Sequence, residues 1–89
     1  MEFRVCVNDL DVDTAEILKQ WIFTKLLEKA KQRYRLELRC NPLEANQYIC
    51  SDAKSGRAFL AEYVVEETDE AGSARACLYG EELELLSQG

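Results

Sequence analysis

The chain opens on a strict alternation. In Glu2-Phe3-Arg4-Val5-Cys6-Val7, the residues Phe3, Val5 and Val7 share one face, which is the period of a half-buried strand. Asn8 to Asp13 then supplies turn and cap chemistry. Asp11 or Asp13 can accept from the free amides of a following helix, and Asp13 with Glu16 has a capping-box spacing. From about residue 12 to 33 the period changes to that of a helix. This stretch holds no Gly and no Pro and is rich in Leu, Lys, Glu, Ala and Gln. It predicts one long helix of roughly 33 Å.

Strict alternation returns from Tyr34 to Cys40, with Tyr34, Leu36, Leu38 and Cys40 on one face and Arg35, Glu37 and Arg39 on the other. Asn41-Pro42 should break this strand. A short strand is expected at about 46–51, a turn at Lys54-Ser55-Gly56-Arg57, and a long strand over Ala58–Glu67. Thr68 to Gly72 has the composition of a hairpin loop. Ser73–Tyr79 reads as a fifth strand, and Glu81 to Leu86 as a short helical turn. The order β-α-β-β-β-β predicts an α+β fold over residues 1–89 as a single compact domain. A mainly antiparallel sheet should carry one long helix packed on one face. A parallel pairing of the first two strands would need a right-handed crossover.

On a helical wheel Ala15, Leu18, Ile22, Phe23, Leu26, Leu27 and Ala30 fall on the arc expected to face the sheet, with Lys19 and Lys29 inside it. The Leu18/Ile22/Leu26 stripe should meet Val5, Leu36, Phe59 and Tyr63. Ile17 and Trp21 fall on the opposite side, one turn apart and therefore stacked. Such a pair calls for cover, either from the Leu83–Leu86 segment, from a second copy, or from a partner.

Composition narrows the chemistry. The chain has no histidine, which removes Ser-His-Asp and Cys-His catalysis and mixed Cys/His zinc sites from its own repertoire. A carboxylate pair such as Glu62 with Asp52 or Glu37 is conceivable, but so short a chain seldom encloses a pocket of several hundred Å³. Lys54-Ser55-Gly56-Arg57 lacks the glycine spacing of a phosphate loop. No enzyme, cofactor or metal is therefore expected.

The net charge is −6 and is unevenly spread. Residues 1–45 hold eight basic and eight acidic side chains, whereas residues 46–89 hold three and nine. Glu66, Glu67, Asp69 and Glu70 crowd the loop after the long strand, and Glu81, Glu82 and Glu84 crowd the tail. An acidic half of this kind suits a basic protein surface. It opposes nucleic acid at long range. Arg4, Arg35 and Arg39 on the outer sheet face, extended by Arg75 but interleaved with Glu37, Glu62 and Glu66, are the alternative nucleic-acid surface, with Tyr34 or Tyr48 for stacking.

Cys6, Cys40, Cys50 and Cys77 include no C-x-x-C pair, and there is neither a signal-peptide pattern at the N-terminus nor a membrane span. The expected location is cytoplasmic, where four reduced thiols would pack as small hydrophobes. The sequence thus describes a small acidic, non-catalytic protein-interaction module of the accessory, immunity or inhibitor kind, binding a protein partner or a second copy to form a homodimer. Its candidate partner-binding residues are Ile17, Trp21, Glu66, Glu67, Asp69 and Glu70.

Overall fold

A computed structural model describes residues 1–84. The strands are β1 (Glu2–Asp11), β2 (Leu38–Glu44), β3 (Gln47–Asp52), β4 (Ala58–Glu67) and β5 (Ser73–Glu82), and the helices are α1 (Val12–Ile17) and α2 (Lys19–Tyr34). All strand pairs are antiparallel, in the spatial order β1-β5-β4-β3-β2. Strands β2 to β5 form a meander, and β1 returns to the free edge of β5. The fold is α+β as expected. The first two predicted strands lie at opposite edges, so no parallel crossover exists.

The expected single helix is two. Asp11 caps α1, its carboxylate accepting from the Thr14 amide at 3.1 Å and from the Thr14 hydroxyl at 3.2 Å. The chain leaves helical geometry at Leu18 (φ −97°, ψ 24°), although Leu18 N–H still reaches Thr14 O and Ile22 N–H reaches Leu18 O. Lys19 explains the break. It lies four residues after buried Ala15 and three before buried Ile22, at the centre of the stripe that a continuous helix would press on the sheet. An ammonium cannot be buried there unpaired. With the helix broken, Lys19 is half-buried and its Nζ sits 5.7 Å from the centre of the Tyr63 ring. Leu18, expected on the sheet-facing arc, is displaced outward and is 42% exposed.

Ala15, Ile22, Phe23, Leu26 and Ala30 are the buried helical positions. Beneath them β5 presents Ala74, Ala76, Leu78 and Gly80, and the large side chains of its neighbours (Phe3, Val5, Phe59, Tyr63) pack beside the small ones, so the layers interlock. Phe23 stacks on Tyr48 with ring centres 4.0 Å apart, and Phe3 meets Phe59 edge-on at 5.5 Å. Phe3 also lies over its cross-strand partner Gly80, where a β-carbon would run into its ring.

The expected strand from Tyr34 to Cys40 starts later. Tyr34 closes α2, and Arg35 takes the left-handed conformation (φ 56°, ψ 48°) of a C-cap, with its own amide and that of Leu36 bonded to Lys31 O. A left-handed residue ends both the helix and the alternation, so Arg35 lies outside the sheet. Pro42 does not end β2. It sits on an edge strand, where a missing amide breaks no ladder. At the other end of the sheet Glu81 and Glu82 continue β5 instead of starting a helical turn. Leu83 bonds to Ala58 O at the sheet end, and Leu85 and Leu86 lie outside the described residues.

Asp52 is 4% exposed and organises the β3–β4 turn. Its carboxylate accepts from Ser55 Oγ at 2.7 Å, Glu37 N at 2.8 Å, Ser55 N at 3.3 Å and Lys54 N at 3.4 Å. The Ser55 hydroxyl, then the Glu37 amide, hold its pKa below the ordinary 3.8 despite burial.

The cysteines are not reduced. Cys6 pairs with Cys77 and Cys40 with Cys50, as two disulfides with Cα separations of 4.1 and 4.0 Å. Both are direct cross-strand partners, β1 with β5 and β2 with β3. Their close Cα approach is that of non-hydrogen-bonded pairs, where facing side chains come nearest. Register, which the spacing of cysteines in the sequence does not reveal, is what brings them together.

Candidate functional site

Ile17 ends α1 and Trp21 lies in the first turn of α2, and they are 80% and 58% exposed. The break at Leu18 adds a third apolar side chain to the pair. Together these three present on the order of 400 Å² of surface, within the range of the largest apolar patch on an ordinary monomer, which is often a functional one. Lys25, one turn along, places its Nζ 5.2 Å from the Trp21 ring centre without covering the indole. Leu83, which could have served as cover, sits where α2 ends and not where it begins.

The acidic loop arrives at the same end as the patch. Val12 N–H donates to Gly72 O at 2.9 Å, tying the start of α1 to the β4–β5 hairpin. Ile17 lies five residues further, about 7.5 Å along the helix. Glu67, Asp69 and Glu70 are exposed on that hairpin, and Asp9, Asp11, Asp13 and Glu16 join them from the β1–α1 junction. Asn8, Asp9, Thr68, Asp69, Glu70 and Ser73 line a shallow depression of about 300 Å³. Asp9 (φ 59°) sits in the β1 irregularity that turns the chain toward this loop.

Glu66 does not belong to this group. It points to the helix-free face of the sheet and pairs with Arg75 on the neighbouring strand at 2.6 Å. The hydrogen bond and charge of Glu66 raise the Arg75 pKa further. So the fold brings Ile17 toward the hairpin that carries Glu67, Asp69 and Glu70, places Trp21 one turn further along the helices, and separates Glu66 from the other acids.

Beside the patch the helix break opens a recess of about 260 Å³ lined by Glu16, Lys19, Asn46, Tyr63, Val64 and Val65. Burial first, then the nearby charge of Glu16, push the Tyr63 phenol above its ordinary pKa. Its hydroxyl has no hydrogen-bond partner among the described residues. An unpartnered buried hydroxyl is uncommon enough to need a reason. Sequence reasoning missed this recess because it depends on the helix break.

The second expected surface is dispersed. Arg39 is on the outer face of β2, Arg35 is a helix cap, and Arg4 is on β1 at the far edge of the sheet. Glu37 precedes β2 and lies 3.9 Å from Lys54, while Glu62 accepts from Gln47 at 3.3 Å. The carboxylate pair conceivable from sequence is not assembled either, since Asp52 faces the helices and Glu62 the opposite side. The four cysteine sulfurs, as disulfides, offer no thiolate to a metal. Among the described residues no helix is long and apolar enough to cross a membrane.

No family model matches the chain, and no curated protein and no solved structure shows significant similarity to it.

Proposed function

We propose that this chain is a small non-catalytic protein-interaction module whose Ile17–Leu18–Trp21 patch and adjoining acidic end dock on a basic protein surface. The exposure of Ile17 and Trp21 beside Glu67, Asp69 and Glu70 carries the reading. Burying one large apolar side chain contributes about 1.5–3 kcal/mol, so the patch supplies the anchors of an interface and the acids its rim. The acids would also steer a basic partner during encounter. A basic side chain entering the recess could meet Glu16 and the orphan Tyr63 hydroxyl. A two-fold contact through the same patch would bring like acidic rims together, which favours a basic partner over the homodimer.

The non-catalytic reading rests on where the perturbed groups lie. Asp52 is engaged by its own turn and Arg75 by Glu66, and the Tyr63 phenol, pushed up by burial and Glu16, keeps its proton at neutral pH, so none of the three is poised as a base or nucleophile. The expected cytoplasmic location carries reduced thiols with it. Two disulfides instead favour an oxidising compartment.

Capture from the native cell extract tests the proposal, with wild-type and Trp21→Glu baits compared and light scattering run on both. Wild type should be monomeric and retain a basic protein that Trp21→Glu loses at unchanged thermal stability. Equal recovery on both baits would sink the proposal. A wild-type dimer dissociated by Trp21→Glu would replace the basic partner with a second copy.

A further inference from the structure

The edge of β1 carries a feature that does not depend on the Ile17–Trp21 reading. A groove of about 410 Å³ is lined by Arg4, Cys6, Asn8, Arg33, Tyr34 and Arg75. Three arginines line it, in a chain of net charge −6. Arg4 and Asn8 come from β1, Arg75 from β5 beside it, and Arg33 from the last turn of α2. The Cys6–Cys77 disulfide joins the two strands at this point.

The arginines are held but only partly neutralised. Arg4 lies over the Tyr79 ring at 5.6 Å and Arg33 over the Tyr34 ring at 5.9 Å, cation–π contacts that orient each planar group and leave its charge without a counter-ion. Among the described residues neither forms an ion pair. Arg75 gives Nη2 to Glu66, while its buried Nε has no hydrogen-bond partner. The edge backbone is also prepared. The Tyr34 hydroxyl accepts from Arg4 N and donates to Arg4 O, each at 3.3 Å, and Lys29 Nζ donates to Cys6 O at 2.9 Å. These contacts block strand addition at the edge and place an ammonium beside the groove. They turn the site from a template for another strand into a cationic cleft.

We infer that this groove binds a phosphomonoester dianion. Arg4 and Arg33 supply unpaired forks on either side of the β1 edge, and Arg75 supplies a third charge that Glu66 balances in part. Planar forks match phosphate oxygens in pairs, and oriented forks lose little freedom on binding. A monocarboxylate offers half the charge and fewer acceptor oxygens. The phosphate could be free or carried on a phosphorylated side chain.

The probes are inorganic phosphate, a phosphoserine peptide and acetate at matched ionic strength, titrated into the oxidised 15N-labelled protein. Phosphate should give saturable shifts at the amides of residues 4–8 and 33–35, with affinity at least tenfold above acetate. Arg4→Ala/Arg33→Ala should weaken it at least tenfold, with thermal unfolding within a few degrees of wild type, and Arg4→Lys/Arg33→Lys should recover part of the loss. Tighter binding of the peptide assigns the site to phosphorylated protein, and equal or weaker binding assigns it to small phosphate compounds. Non-saturating shifts, equal response to acetate, or unchanged affinity in the alanine variant would overturn the inference.

Discussion

Removing the two disulfides one at a time should destabilise the protein unequally, and the topology says by how much. Cys6–Cys77 closes a loop with a sequence separation of 71 residues, and Cys40–Cys50 one of 10. In the chain-entropy treatment these restrict the unfolded chain by about 4.4 and about 2.7 kcal/mol at 25 °C. The comparison is well matched. Each disulfide joins one fully buried cysteine, Cys77 or Cys50, to one half-buried partner, so double substitution to alanine deletes nearly the same chemistry in each case. The difference of about 1.7 kcal/mol therefore reports loop closure. Small domains have total stabilities of about 5–15 kcal/mol, so Cys6→Ala/Cys77→Ala should stand close to unfolding. Urea unfolding of wild type and both variants, followed by far-ultraviolet circular dichroism under non-reducing conditions, measures each loss. Alkylation beforehand should find no free thiol in native wild type and four after reduction in denaturant. An equal loss in the two variants, or a larger one in Cys40→Ala/Cys50→Ala, would refute the argument.

Two further outcomes test the packing and the turn. Gly80→Ala should cost about 1–3 kcal/mol in thermal or denaturant melts, because its methyl group would enter the ring of Phe3 and push it toward Phe59; an unchanged midpoint would contradict that packing. Asp52, with its folded pKa below 3.8, contributes stability that is complete above that value and is lost as pH falls through the folded pKa. The acid limb of Asp52→Asn should accordingly be flatter than that of wild type below about pH 4, and superimposable limbs would remove Asp52 from the acid response.

Local pattern along the chain determined a good deal. Alternation of Phe3, Val5 and Val7 marks a strand with one apolar side, and the same arithmetic locates β4. Apolar residues at helical spacing select Ile22, Leu26 and Ala30 for burial and leave Ile17 and Trp21 outside. These are short-range properties, set by the direction in which successive side chains leave the backbone. Tertiary structure decided what depends on distant partners. Lys19 interrupts its helix because the sheet lies beneath it, and Arg35 ends the next helix in a backbone conformation that composition does not favour. The pairings Cys6–Cys77 and Cys40–Cys50 follow from strand register, and register follows from the assembled core. The separation of Glu66 from Glu67 is the two-residue period of a strand acting on adjacent acids. The placing of Arg4, Arg33 and Arg75 along one groove arises because β1 returns to β5 while α2 ends over the same edge. Proximity of that kind is a property of how the chain closes on itself, and local periodicity carries no record of it.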